Sequence, residues 1–152
     1  MAIDQRIFCD TNFLLDIFDV ERQHHADAVA LLWYCAENPE TTELMASVTS
    51  FKDAYYILRR LYKDEALARA SIDQIMGKFI EPVDMLAQYG AEALASDESD
   101  FEDGLIRVCA EHEAASTIIT RDAEAFATSA IPAMPAAIFL TQVGFDYEVI
   151  EW

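Results

Sequence analysis

The chain has 152 residues, of which 53% are hydrophobic, so it has the size and apolar content of one ordinary domain with a buried core. Its formal charge of −18 at pH 7 excludes a general electrostatic attraction to nucleic acid, because Lys and Arg normally supply that affinity. Any nucleic-acid role must therefore depend on metal ions, a local basic patch or a basic partner chain.

The first half of the chain predicts alternating strands and helices. The apolar run RIFCD is strand-like, and TNFLLDIF continues with apolar residues at helical spacing, so a strand passes directly into a helix at Asp10. The next predicted elements are a helix in HADAVALLWYCAEN, a strand in ELMASV and a helix in TSFKDAYYILRRLY.

The second half continues the alternation. Its predicted elements are a helix from about Asp64 to Lys78, a strand in FIEPV, a helix in DMLAQYGAEALAS, a helix in FEDGLIRVCAEHEA, a strand in STIIT, a turn in RDAEAF, a short strand in SAIPAM and a short helix after Pro135. Strands that alternate with helical crossovers predict a mainly parallel sheet of four or five strands between two layers of helices. We expect a single domain over residues 1–152.

The cysteines and the start of the chain predict a compartment. Cys9, Cys35 and Cys109 lie far apart in apolar segments without zinc-ligand spacing, so we expect three reduced core thiols. No apolar stretch reaches the roughly 18 residues that span a bilayer, and the opening MAIDQR lacks the apolar region of a secretion signal. We therefore expect a cytoplasmic protein without membrane contact.

Four aspartates lie where the predicted strands end or where adjoining helices begin. Asp10 ends the first strand and Asp122 follows STIIT, while Asp53 and Asp103 fall early in helices beside the same sheet edge. In open α/β sheets, the binding crevice lies beyond the carboxyl ends of the strands. We expect all four carboxylates to face one crevice.

Clustered carboxylates raise one another's pKa and need a counter-charge, which a divalent cation commonly provides. Mg²⁺ and Mn²⁺ prefer oxygen ligands and are typically held by one or two carboxylates together with substrate phosphate. An all-aspartate set without His or Cys therefore predicts metal-dependent phosphodiester chemistry.

Each aspartate also has a structural alternative. Asp53 could complete a capping box that starts at Ser50, and Asp122 could cap the segment AEAF. Ser99 and Glu102 form a second capping box, which leaves Asp103 for the site. Asp16, Asp19 and Asp100 are expected to be exposed acids at helix ends.

The motifs FCDTNFLLDIF, SVTSFKDAYYILRR, DFEDGLIRVCAEHEAASTIITRDAEAF and IPAMPAAIFL together resemble the PIN-domain family, the metal-dependent nuclease fold that includes VapC-type toxins. The resemblance extends from about Arg6 to Leu140. It implies the sheet order 3-2-1-4-5, frequent homodimers, an antitoxin partner and an RNA substrate.

Carried over by position, the resemblance implies four catalytic acids, Asp10, Asp53, Asp103 and Asp122. Asp10, Asp103 and Asp122 would hold Mg²⁺ or Mn²⁺, Asn12, Ser50 and Thr120 would support them, and Arg121 would meet a substrate phosphate or pair with a local acid. The family often has Glu at the second position, so the shorter Asp53 would contact metal through water or serve only as a cap.

Two further segments have open interpretations. Arg59, Arg60 and Lys63 are interleaved with tyrosines, which suits an RNA-stacking platform but equally a dimer or antitoxin surface. Residues 141–152 include the alternating pattern GFDYEVIEW, which predicts either an added edge strand or a partner-binding tail.

Two functions compete. A metal-dependent ribonuclease is favoured by the intact acids, whereas a catalytically quiet PIN-like module that binds RNA or protein is favoured by the −18 charge and by Asp53. A phosphatase or phosphoacceptor fits less well, because Asn12 stands where a second Asp would be needed.

Overall fold

Five short strands form the centre of the protein in the computed structural model, which describes residues 3–147. They are β1 (Gln5–Cys9), β2 (Thr42–Ser47), β3 (Glu81–Val83), β4 (Thr117–Ile119) and β5 (Ala133–Met134). They make one sheet in the order β3-β2-β1-β4-β5, and all neighbouring strands are parallel. The order implied by the resemblance is confirmed.

Helices cross over between the strands, as the alternating pattern predicts. They are α1 (Thr11–Phe18), α2 (His25–Glu37), α3 (Val48–Tyr62), α4 (Glu65–Ile75), α5 (Ala87–Ala95), α6 (Phe101–His112) and α7 (Ala136–Gln142). The turn predicted in RDAEAF is a 3₁₀ helix over Ala123–Phe126. Because parallel strands need long crossovers, nearly every connection carries a helix.

The sheet separates two hydrophobic cores. Successive side chains of a strand point to opposite faces, so Ile7 and Cys9 pack with α1, α2, α3 and α7, whereas Phe8 packs with α5 and α6. The side chains of Ile7, Phe8 and Cys9 are completely buried. This arrangement confirms the expected three layers.

The three cysteines lie in the core, as the sequence predicts. Cys9, Cys35 and Cys109 are buried free thiols, which confirms the expected core positions. Within residues 3–147, no helix combines the length and the apolar character needed to cross a bilayer.

Two predicted helix caps are wrong. Helix α3 begins at Val48 and is capped by Ser47, whose hydroxyl accepts a hydrogen bond from the Ser50 backbone N–H at 3.1 Å. Asp53 therefore lies in the second turn of α3 and cannot complete a capping box. Helix α6 is capped by Asp100 instead of Ser99, because the Asp100 carboxylate accepts hydrogen bonds from two backbone N–H groups.

The segment after α7 packs on α2. The Phe145 ring meets the Tyr34 ring edge to face at 5.5 Å, and the Tyr147 hydroxyl donates a hydrogen bond to Asp27. Residues 143–147 form no strand, and residues 141 and 142 belong to α7. The described part of the predicted edge strand is thus helix and loop, while Val149 and Trp152 lie outside the described residues.

Candidate active site

The site begins where two neighbouring strands end. β1 and β4 are parallel, with Cys9 opposite Ile119, so Asp10 and Thr120 emerge side by side from the carboxyl edge of the sheet. The Asp10 backbone N–H donates to the Ile119 carbonyl at 3.3 Å and holds the two ends together. The strand pairing therefore fixes the first acid beside Thr120.

The Asp10 carboxylate is buried but has hydrogen-bond partners. It accepts the Phe13 backbone N–H at 3.0 Å, which caps α1, and it also accepts the Thr120 hydroxyl. Burial raises the pKa of Asp10, although these two hydrogen bonds and the positive charge of Arg121 oppose that shift. Asp10 thus combines a helix-capping role with a carboxylate that lies at the edge of the crevice.

Asp103 lies in the first turn of α6 and faces other acids. Burial, followed by the negative charges of Asp100, Asp122, Glu102 and Asp10, raises the pKa of Asp103 to about 6. The charge of Asp10 therefore reaches Asp103 although 93 residues separate them in the sequence. Asp10, Asp103 and Asp122 share one electrostatic environment.

Asp122 follows β4 and caps the 3₁₀ helix. Its carboxylate accepts the Ala125 backbone N–H at 3.3 Å, and its own backbone N–H donates to the Thr120 hydroxyl oxygen at 3.1 Å. The structural alternative proposed for Asp122 is therefore confirmed. Thr120 is buried and joins the Asp10 side chain to the Asp122 backbone, which is the supporting position expected for it.

Within residues 3–147, Asp53 forms no hydrogen bond with the other three predicted acids, and it lies in a different part of the crevice edge. Its carboxylate pairs with Lys52 at 2.7 Å and lines a groove of about 740 Å³ between α3 and α6. Ser50 is buried at the wall of the same groove, and Glu102 lies at its opposite side. Asp53 therefore faces this groove and forms a solvent-exposed ion pair with Lys52.

The candidate metal ligands have the chemistry that a hard cation requires, but their arrangement fits a metal ion less well. All the candidate ligands are oxygen donors, and burial together with the negative charges of neighbouring acids raises the pKa of Asp103. The buried Thr11 hydroxyl, which also lines the groove, has no hydrogen-bond partner within residues 3–147. Over that same range, no three His, Cys, Asp or Glu side chains are arranged to hold a metal ion. Mg²⁺ commonly takes only one or two carboxylates and completes its shell with water.

The sequence analysis did not predict a cluster beside Asp10, in which Asp16 and Asn12 contact Arg22 and Arg121. Asp16, expected to be exposed, is buried at 3%, and its carboxylate accepts Arg22 Nε at 2.6 Å. The expectation is wrong because Arg22, in the loop after α1, brings a positive charge onto the helix. The Asn12 side-chain oxygen accepts hydrogen bonds from both Arg22 and Arg121, at 3.0 and 2.9 Å. A long basic side chain six residues after an aspartate was the signal available in the sequence.

The predicted substrate-binding arginines occupy two places. Arg121 lies at the crevice, whereas Arg59 and Arg60 lie in the last turn of α3, which runs away from the sheet edge. Seven residues of helix separate Arg60 from Asp53, so about 10 Å of helix axis lies between them. Arg59 and Arg60 are exposed but do not join the acids.

The raised pKa of Asp103 predicts a pH-dependent stability. Between about pH 4 and pH 6 the folded protein holds this proton more tightly than the unfolded chain, so the free energy of unfolding falls as pH rises through that range. Asp103→Asn should remove this loss. After solvent screening, we expect a gain of at most about 1 kcal/mol near neutral pH, or about 2–4 °C in Tm.

Thermal melts in EDTA near pH 4 and near pH 7 measure this effect. Asp103→Asn should raise the Tm at the higher pH and leave it nearly unchanged at the lower one. Asp73→Asn, an exposed α4 position that pairs with Lys78, is the matched charge control. An equal Tm difference at both pH values for Asp103→Asn would contradict the proposed origin of the shift.

Comparisons with known proteins give the family. A family model described as PIN domain matches residues 6–124, which is most of the chain. No curated protein matches the sequence significantly.

Three solved structures share the fold. Mycobacterium tuberculosis VapC20, described as a sarcin-ricin loop cleaving toxin, is 19% identical, with a TM-score of 0.62 over 80% of this chain and 94% of its own. Rickettsia felis VapBC2, bound to a promoter DNA fragment, is 17% identical, with a TM-score of 0.65 over 86% and 97%. PAE2754 from Pyrobaculum aerophilum is 14% identical, with a TM-score of 0.60 over 95% and 93%.

The family match covers β1 with Asp10 and extends through β4 to the 3₁₀ helix after Asp122, so it includes all four predicted acids. The sheet order and the three layers agree with it independently. This chain belongs to the PIN-domain family.

Proposed function

We propose that this protein is a Mg²⁺- or Mn²⁺-dependent ribonuclease that acts as the toxin of a toxin–antitoxin pair. The observation that carries the proposal is the pairing of β1 with β4, through which Asp10 and Asp122 lie on either side of Thr120 at the carboxyl edge of the parallel sheet. The negative charges of both acids act on Asp103. Such a field favours a divalent cation over a monovalent one, and a bound cation would reduce its repulsion of RNA.

The protein's own residues have distinct roles in this proposal. Asp10, Asp103 and Asp122 would hold the metal, and Thr120 orients Asp10 through its hydroxyl. Bound Mg²⁺ or Mn²⁺ would activate a water molecule and stabilise the leaving oxygen of a phosphodiester. Because the pKa of Asp103 is about 6, protons compete with the metal below that pH, so activity should decline in acid.

The partners are also proposals. VapC20 is described as a toxin that cleaves the sarcin-ricin loop, and VapBC2 as a complex bound to promoter DNA, which supports an RNA substrate and an antitoxin for this chain. Helix α3 exposes Tyr56, Ile57 and Leu61, of which Tyr56 and Ile57 also line the groove beside Asp53. We assign these apolar side chains to protein contact, either in a homodimer or with the antitoxin. Co-expression with the neighbouring reading frame would identify the antitoxin.

Metal-dependent cleavage tests the central proposal. Purified protein should fragment a mixed single-stranded RNA in Mg²⁺ or Mn²⁺ and leave it intact in EDTA. RNA that stays intact with both metals, over a range of protein concentrations, would contradict the ribonuclease.

Two observations favour the alternative, a catalytically quiet PIN-like module. Asp53 is paired with Lys52, and residues 3–147 contain no closed three-ligand metal set. A quiet module would bind RNA or a protein partner without metal-dependent fragmentation. Binding that persists while both metals fail to support cleavage is the result that would establish it.

A further inference from the structure

The arginines beside Asp10 are arranged as a pair. Arg22 and Arg121 both direct an Nη2 amino group to the Asn12 side-chain oxygen, at 3.0 and 2.9 Å. Both also direct Nε to the Asp16 carboxylate, Arg22 at 2.6 Å to one oxygen and Arg121 at 3.9 Å to the other. Two side chains of α1 thus hold two guanidinium groups from different loops next to each other.

The second arginine exceeds what the buried carboxylate needs. Asp16 has a side chain that is only 4% exposed, so it requires one positive partner, which Arg22 supplies through a short hydrogen bond. Arg121 lies beyond hydrogen-bond distance of Asp16, and its side chain is 37% exposed. Arg121 also lies close enough to Asp10 for their charges to interact, so the two arginines roughly balance Asp16 and Asp10. This cluster therefore lacks the excess negative charge of a protein whose formal charge is −18.

The unused donors of the pair are available for a ligand. Arg22 donates through Nε to Asp16 and through Nη2 to Asn12, whereas Arg121 donates only through Nη2, to Asn12. Neither Nη1 amino group has a hydrogen-bond acceptor within residues 3–147. Planar guanidinium groups with free amino edges match the geometry of phosphate oxygens. Like-charged side chains held this close repel each other, and an anion between them would relieve that repulsion.

The pair lies directly beside the acids. Arg121 stands between Thr120 and Asp122 in the chain, and a small cavity of about 20 Å³ is lined by Asp10, Asp16 and Arg121. Arg59 and Arg60, by contrast, are about 10 Å of helix axis beyond Asp53. A backbone phosphate next to a scissile bond at the acids would therefore reach Arg121 before it reached the end of α3.

We propose that Arg22 and Arg121 form a two-arginine clamp for a phosphodiester group of single-stranded RNA, with Asp16 and Asn12 as the positioning residues. The identity of the ligand rests on the proposed ribonuclease function, because RNA is the polyanion that this function would bring to the site. A purely structural ion-pair network, which only fastens the loop after α1, is the competing explanation.

RNA binding in EDTA tests the clamp without cleavage. The probe is a fluorescein-labelled oligouridine, and the measurement is fluorescence anisotropy at several salt concentrations. Arg121→Ala should weaken binding about 10-fold or more, since it removes a charge-assisted contact. The slope of log affinity against log salt should fall in magnitude by about 0.7, the value for one lost phosphate contact on a single strand.

Two further variants separate the clamp from a structural network. Asn12→Ala removes no charge, yet it should weaken RNA binding because the two guanidinium groups lose their shared acceptor. Arg22→Lys keeps a positive partner for Asp16 but loses the planar fork, so affinity should fall while the Tm stays close to that of the wild type. Arg69→Ala, an exposed arginine on α4 that pairs with Glu65, is the matched charge control and should bind RNA as the wild type does.

Several results would overturn the clamp. These are wild-type RNA affinity and salt slope in Arg121→Ala, an equal loss in Arg69→Ala, and failure of the wild-type protein to bind the oligouridine in EDTA. The outcomes also separate the two proposals. Mg²⁺-dependent cleavage with an unaltered Arg121→Ala would retain the ribonuclease and reject the clamp, whereas Arg121-dependent binding without cleavage would retain the clamp in a binding module.

Discussion

Asp10→Asn should abolish Mg²⁺-dependent RNA cleavage, with a rate loss of at least about 100-fold, because a metal-holding carboxylate contributes several kcal/mol to transition-state stabilisation. The fold should survive. An asparagine oxygen can still accept the Phe13 backbone N–H and the Thr120 hydroxyl, and asparagine caps helices as well as aspartate does. Because burial raises the pKa of Asp10, removal of the charge should not destabilise the metal-free protein.

The comparison needs cleavage rates and melting temperatures at the same Mg²⁺ concentration for the wild type, Asp10→Asn and the surface control Asp73→Asn. The control removes one negative charge from an exposed position and should cleave like the wild type. Cleavage that persists in Asp10→Asn would remove Asp10 from the catalytic set. A collapsed fold would instead identify its main role as the cap of α1.

Magnesium should also raise the thermal stability of the wild-type protein. A ligand that binds only the folded state adds about 2.7 kcal/mol when its concentration is 100 times its Kd. For a protein of this size, that corresponds to a rise of about 5–10 °C in Tm relative to EDTA. The cause is the burial of the Asp103 carboxylate together with the negative charges around it, which destabilise the metal-free fold at neutral pH and which a bound cation would offset.

Melts with and without Mg²⁺ for the wild type and Asp103→Asn measure this gain. The variant should lose most of the Mg²⁺-dependent rise while its metal-free Tm is equal or higher. Asp73→Asn should keep the wild-type response. A midpoint that does not move over millimolar Mg²⁺ would favour the quiet module over the ribonuclease.

The sequence predicted the order and type of the elements because its apolar periodicity is strong. RIFCD, STIIT and the helical run of FEDGLIRVCAEHEA correspond to β1, β4 and α6 with shifts of one or two residues. The order of the strands in the sheet could not be predicted from periodicity. Periodicity does not specify which strands are neighbours, so this feature came from the resemblance to the PIN-domain family.

The errors concern short-range polar contacts. Ser47 caps α3 although it belongs to the strand pattern, and its place moves Asp53 one turn along the helix. Asp16 reads as an exposed acid, because its partner Arg22 reaches it from a loop that has no periodic pattern. Side-chain pairing across a loop depends on the path of the backbone, which no local pattern encodes.

The central place of β1 also has a consequence for biosynthesis. β1 leaves the ribosome well before β4, which pairs with one of its two edges and whose Thr117 lies opposite Ile7, 110 residues later. Contacts this distant in sequence form late and slow the folding of a chain. Asp10 can therefore meet Asp103 and Asp122 only after the chain has been translated past residue 122. Until then a nascent chain would carry the first acid without an assembled site, which would delay the proposed nuclease activity until β4 and the turn after it have been made.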